Sequence, residues 1–191
     1  MKIINIIFFT FFTFIFSSQV VAKTKVELSG FSLGMVLTDK LSTPQIAQGT
    51  YEKYYNQKYV TTLEFKKSAF LPDYDWTQFS FKKKDKKQKI IGIDVVEYYE
   101  DNIVECFSKR DEIIASISSK YKKQIREIDD RGTNPFTKSF AEGTNTITWF
   151  YLKGKKYIYV SCYNFADTET RKDQLRIGIS NSYFDKMAFK K

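Results

Sequence analysis

The chain has 191 residues, and its 31 Lys and Arg against 22 Asp and Glu give a formal net charge of +9. A hydrophobic content of 42% and an aromatic content of 17% are typical of a globular protein and exclude disorder over most of the length. Because the chain contains no histidine, Ser-His-Asp and Cys-His nucleophile pairs, histidine bases and imidazole-dependent zinc sites are excluded.

The first 22 residues have the pattern of a secretory signal peptide. A positive charge at Lys2 precedes an apolar stretch over residues 3–16, and Val20 and Ala22 occupy the −3 and −1 places of a cleavage site. The apolar stretch is shorter than the roughly 20 residues of a membrane-spanning helix. We therefore predict cleavage after Ala22, with export to a periplasm or extracellular space and no membrane span in the mature chain.

The remaining chain, residues 23–191, has the size of a single domain, in which residues 23–88 form a candidate N-terminal subregion. This subregion begins less regularly, with short strand-like patterns and weak helix signals after Ser42. Alternation of apolar and polar residues then predicts a strand over 59–66. Two further strands, at 76–83 and 89–99, are predicted to form a hairpin around a lysine-rich turn.

The second half of the chain has a more regular pattern. Apolar residues at helical spacing predict a helix from Asp101 to Lys123, followed by a loop from Asp129 to Gly143 and strands at 145–152, 157–164 and 175–184. No internal repeat is detected. The order of elements predicts an α+β fold, with an antiparallel sheet, one long helix packed on one face and a less regular N-terminal part. The apolar stripe of the helix is Ile103, Phe107, Ile114, Ile117 and Tyr121.

The two cysteines, Cys106 and Cys162, fall in the predicted helix and in the strand at 157–164. An even number of cysteines in an exported chain favours a disulfide, with two buried free thiols as the alternative. A catalytic thiolate is not expected, because no histidine is present to activate it.

The hairpin that joins strands 145–152 and 157–164 predicts a candidate binding surface. If Leu152 faces Tyr157 across the turn, Trp149, Tyr151 and Cys162 lie on the core face, and the opposite, wet face is rich in tyrosine. Tyrosine offers a large contact area at low entropic cost, which suits protein recognition. The alternatives are that these residues are ordinary strand formers or that an N-terminal segment covers them. The predicted partner-binding residues are Phe150, Tyr157, Tyr159 and Tyr163.

The lysine-rich turn is a second candidate site, for anions. Its side chains would attract phosphates or an anionic surface, although a solvated hairpin tip explains the same pattern. A nucleic acid partner is not expected for an exported protein. The candidate anion-binding residues are Lys82, Lys83, Lys84, Lys86 and Lys87.

No motif in the sequence predicts a catalytic centre, a metal site or a cofactor. Asp73 and Asp75 alternate as in a calcium loop, but the glycine and the terminal glutamate of such a loop are missing. Glu97 and Glu100 belong to an acidic group between a strand and the helix, and they are the candidate residues for carboxylate chemistry.

The segment Gly30-Phe31-Ser32-Leu33-Gly34-Met35-Val36-Leu37 resembles the entry motif of small exported proteins of the β-lactamase inhibitor protein and outer-membrane assembly lipoprotein kind. The resemblance covers these eight residues. It implies helices packed on a sheet whose open face binds a partner protein.

Together these features predict an exported protein that is not an enzyme and that binds another protein, as an inhibitor, an immunity factor or an envelope accessory. The alternatives are a small envelope enzyme that uses carboxylate or lysine chemistry and a basic protein that binds anionic glycan or lipid surfaces.

Overall fold

The computed structural model describes residues 26–100, 102–122, 125–130, 143–165 and 172–190. The predicted signal peptide and most of the predicted loop at 129–143 lie outside these residues. In the described part, no helix is both long enough and apolar enough to cross a membrane.

Ten strands, three α-helices and one short 3-10 helix (Leu37–Asp39) make up the described fold. Strands β1 (Glu27–Leu28) and β2 (Phe31–Ser32) pair as a small ribbon, and the other eight form one antiparallel sheet in the order β3-β4-β5-β6-β10-β9-β8-β7. Those eight are β3 (Thr50–Glu52), β4 (Val60–Ser68), β5 (Leu71–Lys82), β6 (Ile90–Tyr98), β7 (Ile125–Asp130), β8 (Gly143–Leu152), β9 (Lys156–Phe165) and β10 (Gln174–Asn181). The helices are α1 (Thr43–Ile46), α2 (Ile103–Tyr121) and α3 (Ser182–Ala188).

The large sheet consists of two four-stranded halves. Strands β3 to β6 follow one another as a meander, and so do β7 to β10. The halves meet where β6 pairs antiparallel with β10, a junction that we call the seam; there Val95 lies opposite Ile177. Helix α1 precedes the first half and α2 precedes the second, so the two halves have the same order of elements although no sequence repeat is detected.

One face of the sheet carries the core. Helix α2 packs on β9 and β10, and the apolar stripe predicted for it contacts the core cluster. The Asn102 side chain caps the helix by accepting a hydrogen bond from the backbone N–H of Glu105. A disulfide between Cys106 and Cys162 joins α2 to β9, with a Cα–Cα distance of 6.0 Å. The largest fully buried side chains of this face include Phe79, Phe81, Leu63, Leu175 and Val160.

The α+β class and the mainly antiparallel sheet with a helix are confirmed, but two elements end earlier than predicted. Helix α2 is shorter than the predicted span from Asp101 to Lys123. The last strand ends at Asn181 rather than at Phe184, because the Asn181 side chain accepts hydrogen bonds from the backbone N–H groups of Tyr183 and Phe184 and so begins α3.

The register of the β8–β9 hairpin also differs from the prediction. Leu152 lies opposite Lys156 rather than Tyr157, because the connecting loop has three residues, of which Gly154 and Lys155 adopt positive φ angles. A shift of one residue moves every side chain of a strand to the other face. Phe150 therefore lies in the core, fully buried and opposite Ile158, and its predicted place on the wet face was wrong.

Candidate functional site

The face of the sheet opposite α2 carries a group of large aromatic side chains, which we call the aromatic face. It includes the predicted residues Tyr157, Tyr159 and Tyr163, each of which is partly buried. The corrected register adds two residues that the sequence analysis assigned to the core, Trp149 and Tyr151. Strands β5 and β6 of the first half complete the set. The aromatic face consists of Trp76, Tyr98, Trp149, Tyr151, Tyr157, Tyr159 and Tyr163.

The rings on β8 and β9 contact one another directly. The ring centroids of Trp149 and Tyr159 are 5.2 Å apart, and those of Tyr151 and Tyr157 are 5.4 Å apart in an edge-to-face arrangement. Such contacts between neighbouring strands limit the freedom of the side chains before any partner arrives. This half of the aromatic face is therefore preorganised.

The strand register aligns one row of residues across the centre of this face. Gln78 on β5 lies opposite Asp94 on β6, and Asp94 lies opposite Gly178 on β10. Gly178 in turn lies opposite Tyr159 on β9. A Cβ atom at Gly178 would lie 2.0 Å from Cε1 of Tyr159, so the tyrosine ring rests on the glycine backbone. This close approach allows Tyr159 to extend across β10 towards Asp94.

Asp94, Arg176 and Tyr159 form the polar centre of the aromatic face. The Tyr159 hydroxyl donates a hydrogen bond to Oδ2 of Asp94. The Nε atom of Arg176 lies 3.4 Å from Oδ1 of Asp94, and the side chains of Arg176 and Asp94 are 29% and 13% exposed. A carboxyl group, a guanidinium group and a phenol are thus held together on an otherwise largely aromatic surface.

Burial and charge shape the ionisation of this centre. Burial raises the pKa of the Tyr159 hydroxyl, and the nearby Asp94 carboxylate raises it further, so the phenol stays protonated. Burial also raises the pKa of Asp94, against the opposing effects of Arg176 and of the Tyr159 hydrogen bond. Burial works against the charge of Arg176, but Asp94 and the surrounding tyrosines hold its pKa above the ordinary value. Arg176 is therefore a fixed cation.

Two stacked aromatic side chains lie on one side of Arg176. Its guanidinium carbon lies 6.0 Å from the ring centroid of Tyr163, which stacks with Phe165 at 6.0 Å. Burial raises the pKa of the Tyr163 hydroxyl, and Arg176 lowers it. Arginine in such surroundings combines charge, directed hydrogen bonds and stacking area.

Glu64 and Gln78 extend the polar row into the first half of the sheet. The Gln78 amide donates a hydrogen bond to Glu64, whose pKa is raised by burial. Tyr54 interacts with the same carboxyl group, and its pKa is raised to about 12 by burial and by the charge of Glu64.

Helix α3 covers one part of the sheet on the side of the aromatic face. Phe184 lies 3.3 Å from the Cβ position of Gly92, and its ring centroid is 4.9 Å from that of Tyr55. Tyr55 also contacts Phe189, with ring centroids 5.7 Å apart. This apolar cover lies at the end of the sheet where β10 finishes, beyond Asp94 and Arg176.

The other predicted residues lie away from the aromatic face. The five lysines of the anion-binding prediction are exposed at the end of β5 and in the turn to β6. Glu97 and Glu100 are at the opposite end of the sheet, where Glu100 is paired with Lys172. The described residues contain no group of three or more Cys, Asp and Glu side chains that could hold a metal ion.

Four residues of this face, Arg176, Asp94, Trp149 and Tyr151, are not among the site residues predicted from the sequence. Asp94 and Arg176 interrupt two apolar strands, IIGIDVV and LRIGI, and a charged residue inside each run is a signal that could have indicated a polar centre. Trp149 and Tyr151 were assigned to the other face, because the loop length was overestimated by one residue.

No family model, curated protein or solved structure matches this chain.

Proposed function

We propose that this chain is an exported, non-enzymatic protein that binds a partner protein through the aromatic face. The observation that carries the proposal is the polar centre: a charged Arg176, held by Asp94 and partly exposed among aromatic rings. Tyrosine, tryptophan and arginine are the residues that most often dominate binding energy at protein interfaces. The resemblance of Gly30–Leu37 to small exported binding proteins supports the same function.

The arrangement of the aromatic face favours recognition over chemistry. Contacts between rings order Trp149, Tyr151, Tyr157 and Tyr159 in advance, which reduces the entropic cost of binding. The rings supply apolar contact area, and Arg176 supplies a directed polar contact at the centre. The formal net charge, +9 for the full chain and +8 once Lys2 is removed with the signal peptide, favours a partner with an acidic surface and a fast encounter at low salt.

The disulfide between Cys106 and Cys162 supports the export that the N-terminal pattern predicts, because such bonds persist in oxidising compartments. Sequencing the N-terminus of the protein recovered from its native host tests this part of the proposal. A chain that begins at Lys23 is the expected result, and an intact Met1 on a protein recovered inside the cell would overturn it.

The binding function is tested by using the purified protein as bait for the proteins of its native envelope, followed by affinity measurements with any protein retained. We expect Tyr157→Ala to weaken binding by at least about tenfold, since truncated aromatic hot spots commonly cost this much. Tyr51→Ala is the matched control: Tyr51 is a more exposed tyrosine on β3, outside the aromatic face. Arg176→Lys tests the centre, because lysine keeps the charge and loses the fork of donors.

Loss of affinity in Tyr157→Ala and Arg176→Lys, with Tyr51→Ala unchanged and all three variants folded, supports the aromatic face as the site. Equal affinities for all variants would remove the face from the proposal. Absence of any retained protein would overturn the binding function itself.

A further inference from the structure

The structure gathers lysines from separate parts of the sequence at one end of the large sheet. At this end β5 finishes and β6 begins, since Phe81 lies opposite Ile90. The β8–β9 loop is at the same end, because Asn181, the last residue of β10, lies opposite Lys156. We call this the lysine end; it comprises the lysines of 82–89 and 153–156 together with Lys58, Lys186 and Lys190.

Backbone and side-chain hydrogen bonds hold these segments to one another. The backbone N–H of Lys83 donates to the carbonyl of Tyr59 at 2.9 Å. The N–H of Ser182, at the start of α3, donates to the carbonyl of Lys155 at 2.9 Å. The Asn56 amide donates to the carbonyl of Lys190 at 2.6 Å. The segments of the lysine end therefore form one continuous surface.

Several of the lysines lie against tyrosine rings. The Nζ atom of Lys82 is 4.4 Å from the ring centroid of Tyr183. The Nζ atoms of Lys58 and Lys190 are 5.6 and 5.1 Å from the centroid of Tyr59. These contacts fix ammonium groups from different elements near one another, while each of the three lysines stays exposed.

The carboxylate of Asp85, within this surface, shapes the lysine-rich turn. Its Oδ1 accepts the backbone N–H of Lys87 and its Oδ2 accepts that of Lys89. Asp185 on α3 is a further acid of these segments. These segments, four in number, contain only these two acids among the lysines, so the lysine end has a strong positive charge.

The far end of the sheet has a different charge. There β6 ends and α2 begins, with Glu97, Glu100 and Glu105, and Lys172 is paired with Glu100. Lys66 and Lys67, at the end of β4, also lie at the far end, but the described residues place most of the positive charge at the lysine end. A molecule with such a charge distribution orients itself in the field of an anionic surface.

Two exposed aromatic rings lie beside the lysines. Phe189, directly after α3, is 52% exposed, and Tyr51, which accepts a hydrogen bond from Gln88 in the lysine-rich turn, is 59% exposed. Lysines around an exposed aromatic residue are the combination with which peripheral proteins bind bilayers: the ammonium groups attract lipid phosphates, and the ring enters the interfacial layer. A soluble polyanion has no interfacial layer for Phe189 to enter, so the exposed ring favours a bilayer as the partner.

We propose that the lysine end docks on the surface of an anionic phospholipid bilayer, with Phe189 entering the interfacial region. The aromatic face lies on the sheet surface, beside this end and distinct from it. The docked protein would hold the aromatic face beside the membrane, open to another protein. This proposal stands without the proposed function, because lipid binding is measured with no protein partner present.

The test is sedimentation of the purified protein with vesicles, either of phosphatidylcholine alone or of phosphatidylcholine mixed with phosphatidylglycerol. We expect binding to the mixed vesicles, weakening as salt screens the attraction, and little binding to phosphatidylcholine. Reversing two charges of the turn, in Lys84→Glu/Lys87→Glu, should weaken binding at least about tenfold, since each charge contributes separately near the surface.

The control variant is Lys67→Glu/Lys109→Glu, which changes the net charge equally with exposed lysines on β4 and α2. It should bind nearly as the unmodified protein does. Equal losses in both double variants would show a response to net charge and would overturn the assignment to the lysine end. Binding to dextran sulfate without binding to mixed vesicles would replace the membrane with a polyanionic glycan. Unchanged vesicle binding in Phe189→Ala would show that Phe189 does not enter the interfacial region.

Discussion

Tyr159 crosses strand β10 over the backbone of Gly178 and donates its hydroxyl hydrogen to Asp94 on β6. One side chain of the second half of the sheet is thereby bonded to the first half, at the point where the halves meet. Asp94 also forms an ion pair with the Arg176 guanidinium. Because Tyr159 reaches Asp94 only by passing over Gly178, the geometry of the polar centre depends on the absence of a side chain at residue 178.

Gly178→Ala is therefore expected to damage the polar centre. A Cβ atom 2.0 Å from Cε1 of Tyr159 forces the ring away, at a cost of about 1–3 kcal/mol in the free energy of unfolding. Denaturant unfolding measures this loss. Gly92→Ala is the matched control, because the nearest atom there, Cδ2 of Phe184, is 3.3 Å away and needs to move by only a few tenths of an ångström. Equal losses in the two variants would contradict the steric role of Gly178.

Glu64 gives the stability of the protein a dependence on pH. Burial raises the pKa of this carboxyl above its ordinary value of 4.5, so the folded protein binds its proton more tightly than the unfolded chain does. This tighter proton binding stabilises the fold fully at low pH, and the stabilisation is lost as the pH rises through the raised pKa of Glu64. Glu64→Gln cannot ionise, and its amide oxygen can still accept from Gln78.

The free energy of unfolding of Glu64→Gln, minus that of the unmodified protein, should therefore increase as the pH rises from about 4.5. Urea unfolding over a series of pH values measures this difference, in which the contributions of Asp94 and other groups cancel. Parallel pH profiles for the two proteins would show that Glu64 does not titrate differently on folding.

The register of the β8–β9 hairpin is tested by two neighbouring substitutions. Phe150 is fully buried in the core, so Phe150→Ala should cost about 3–5 kcal/mol in the free energy of unfolding. Tyr151 is partly exposed on the aromatic face, and Tyr151→Ala should cost clearly less. Thermal or denaturant unfolding distinguishes the two. The reverse order of costs would restore the register in which Leu152 faces Tyr157.

The disulfide should contribute strongly to stability. Cys106 and Cys162 are separated by 56 residues, and closing a loop of that length stabilises a fold by about 4 kcal/mol in the chain-entropy model. Urea unfolding of the unmodified protein should shift to lower urea when a reductant is added. Cys106→Ala/Cys162→Ala should unfold at low urea with or without reductant. A reductant that leaves the unmodified protein unchanged would contradict this contribution.

Periodicity in the sequence predicts the central elements well. The apolar stripe of α2 lies on the core, and β4 and β6 fall close to the strands predicted at 59–66 and 89–99, whereas β5 begins five residues before the strand predicted at 76–83. Helix α2 follows from a physical rule, because its apolar residues recur at helical spacing and so lie on one side. Strands β5 and β6 contain runs of consecutive buried residues and so are buried on both faces there. The pairing of Cys106 with Cys162 followed from composition, since two cysteines allow one intramolecular bond.

Features set by the path of the chain were harder to predict. Strand β7 was not predicted, and its last two residues fall in the predicted loop at 129–143. Strand β3 is a short edge strand. The β8–β9 register depended on two positive φ angles, at Gly154 and Lys155, and a non-glycine residue in that conformation is rarely indicated by sequence. Since one residue of loop length exchanges the faces of a strand, this error moved Phe150, Trp149 and Tyr151 together.

The seam between β6 and β10 has a consequence for how the chain folds. Within each half, successive strands are neighbours and pair through short or moderate loops, whereas Val95 and Ile177 come together from distant parts of the sequence. Local pairing forms faster than distant pairing, since the entropy of closing a long loop must be lost first. We expect the two meanders to form early and the seam to close late, which makes the β6–β10 ladder the step that sets the folding rate.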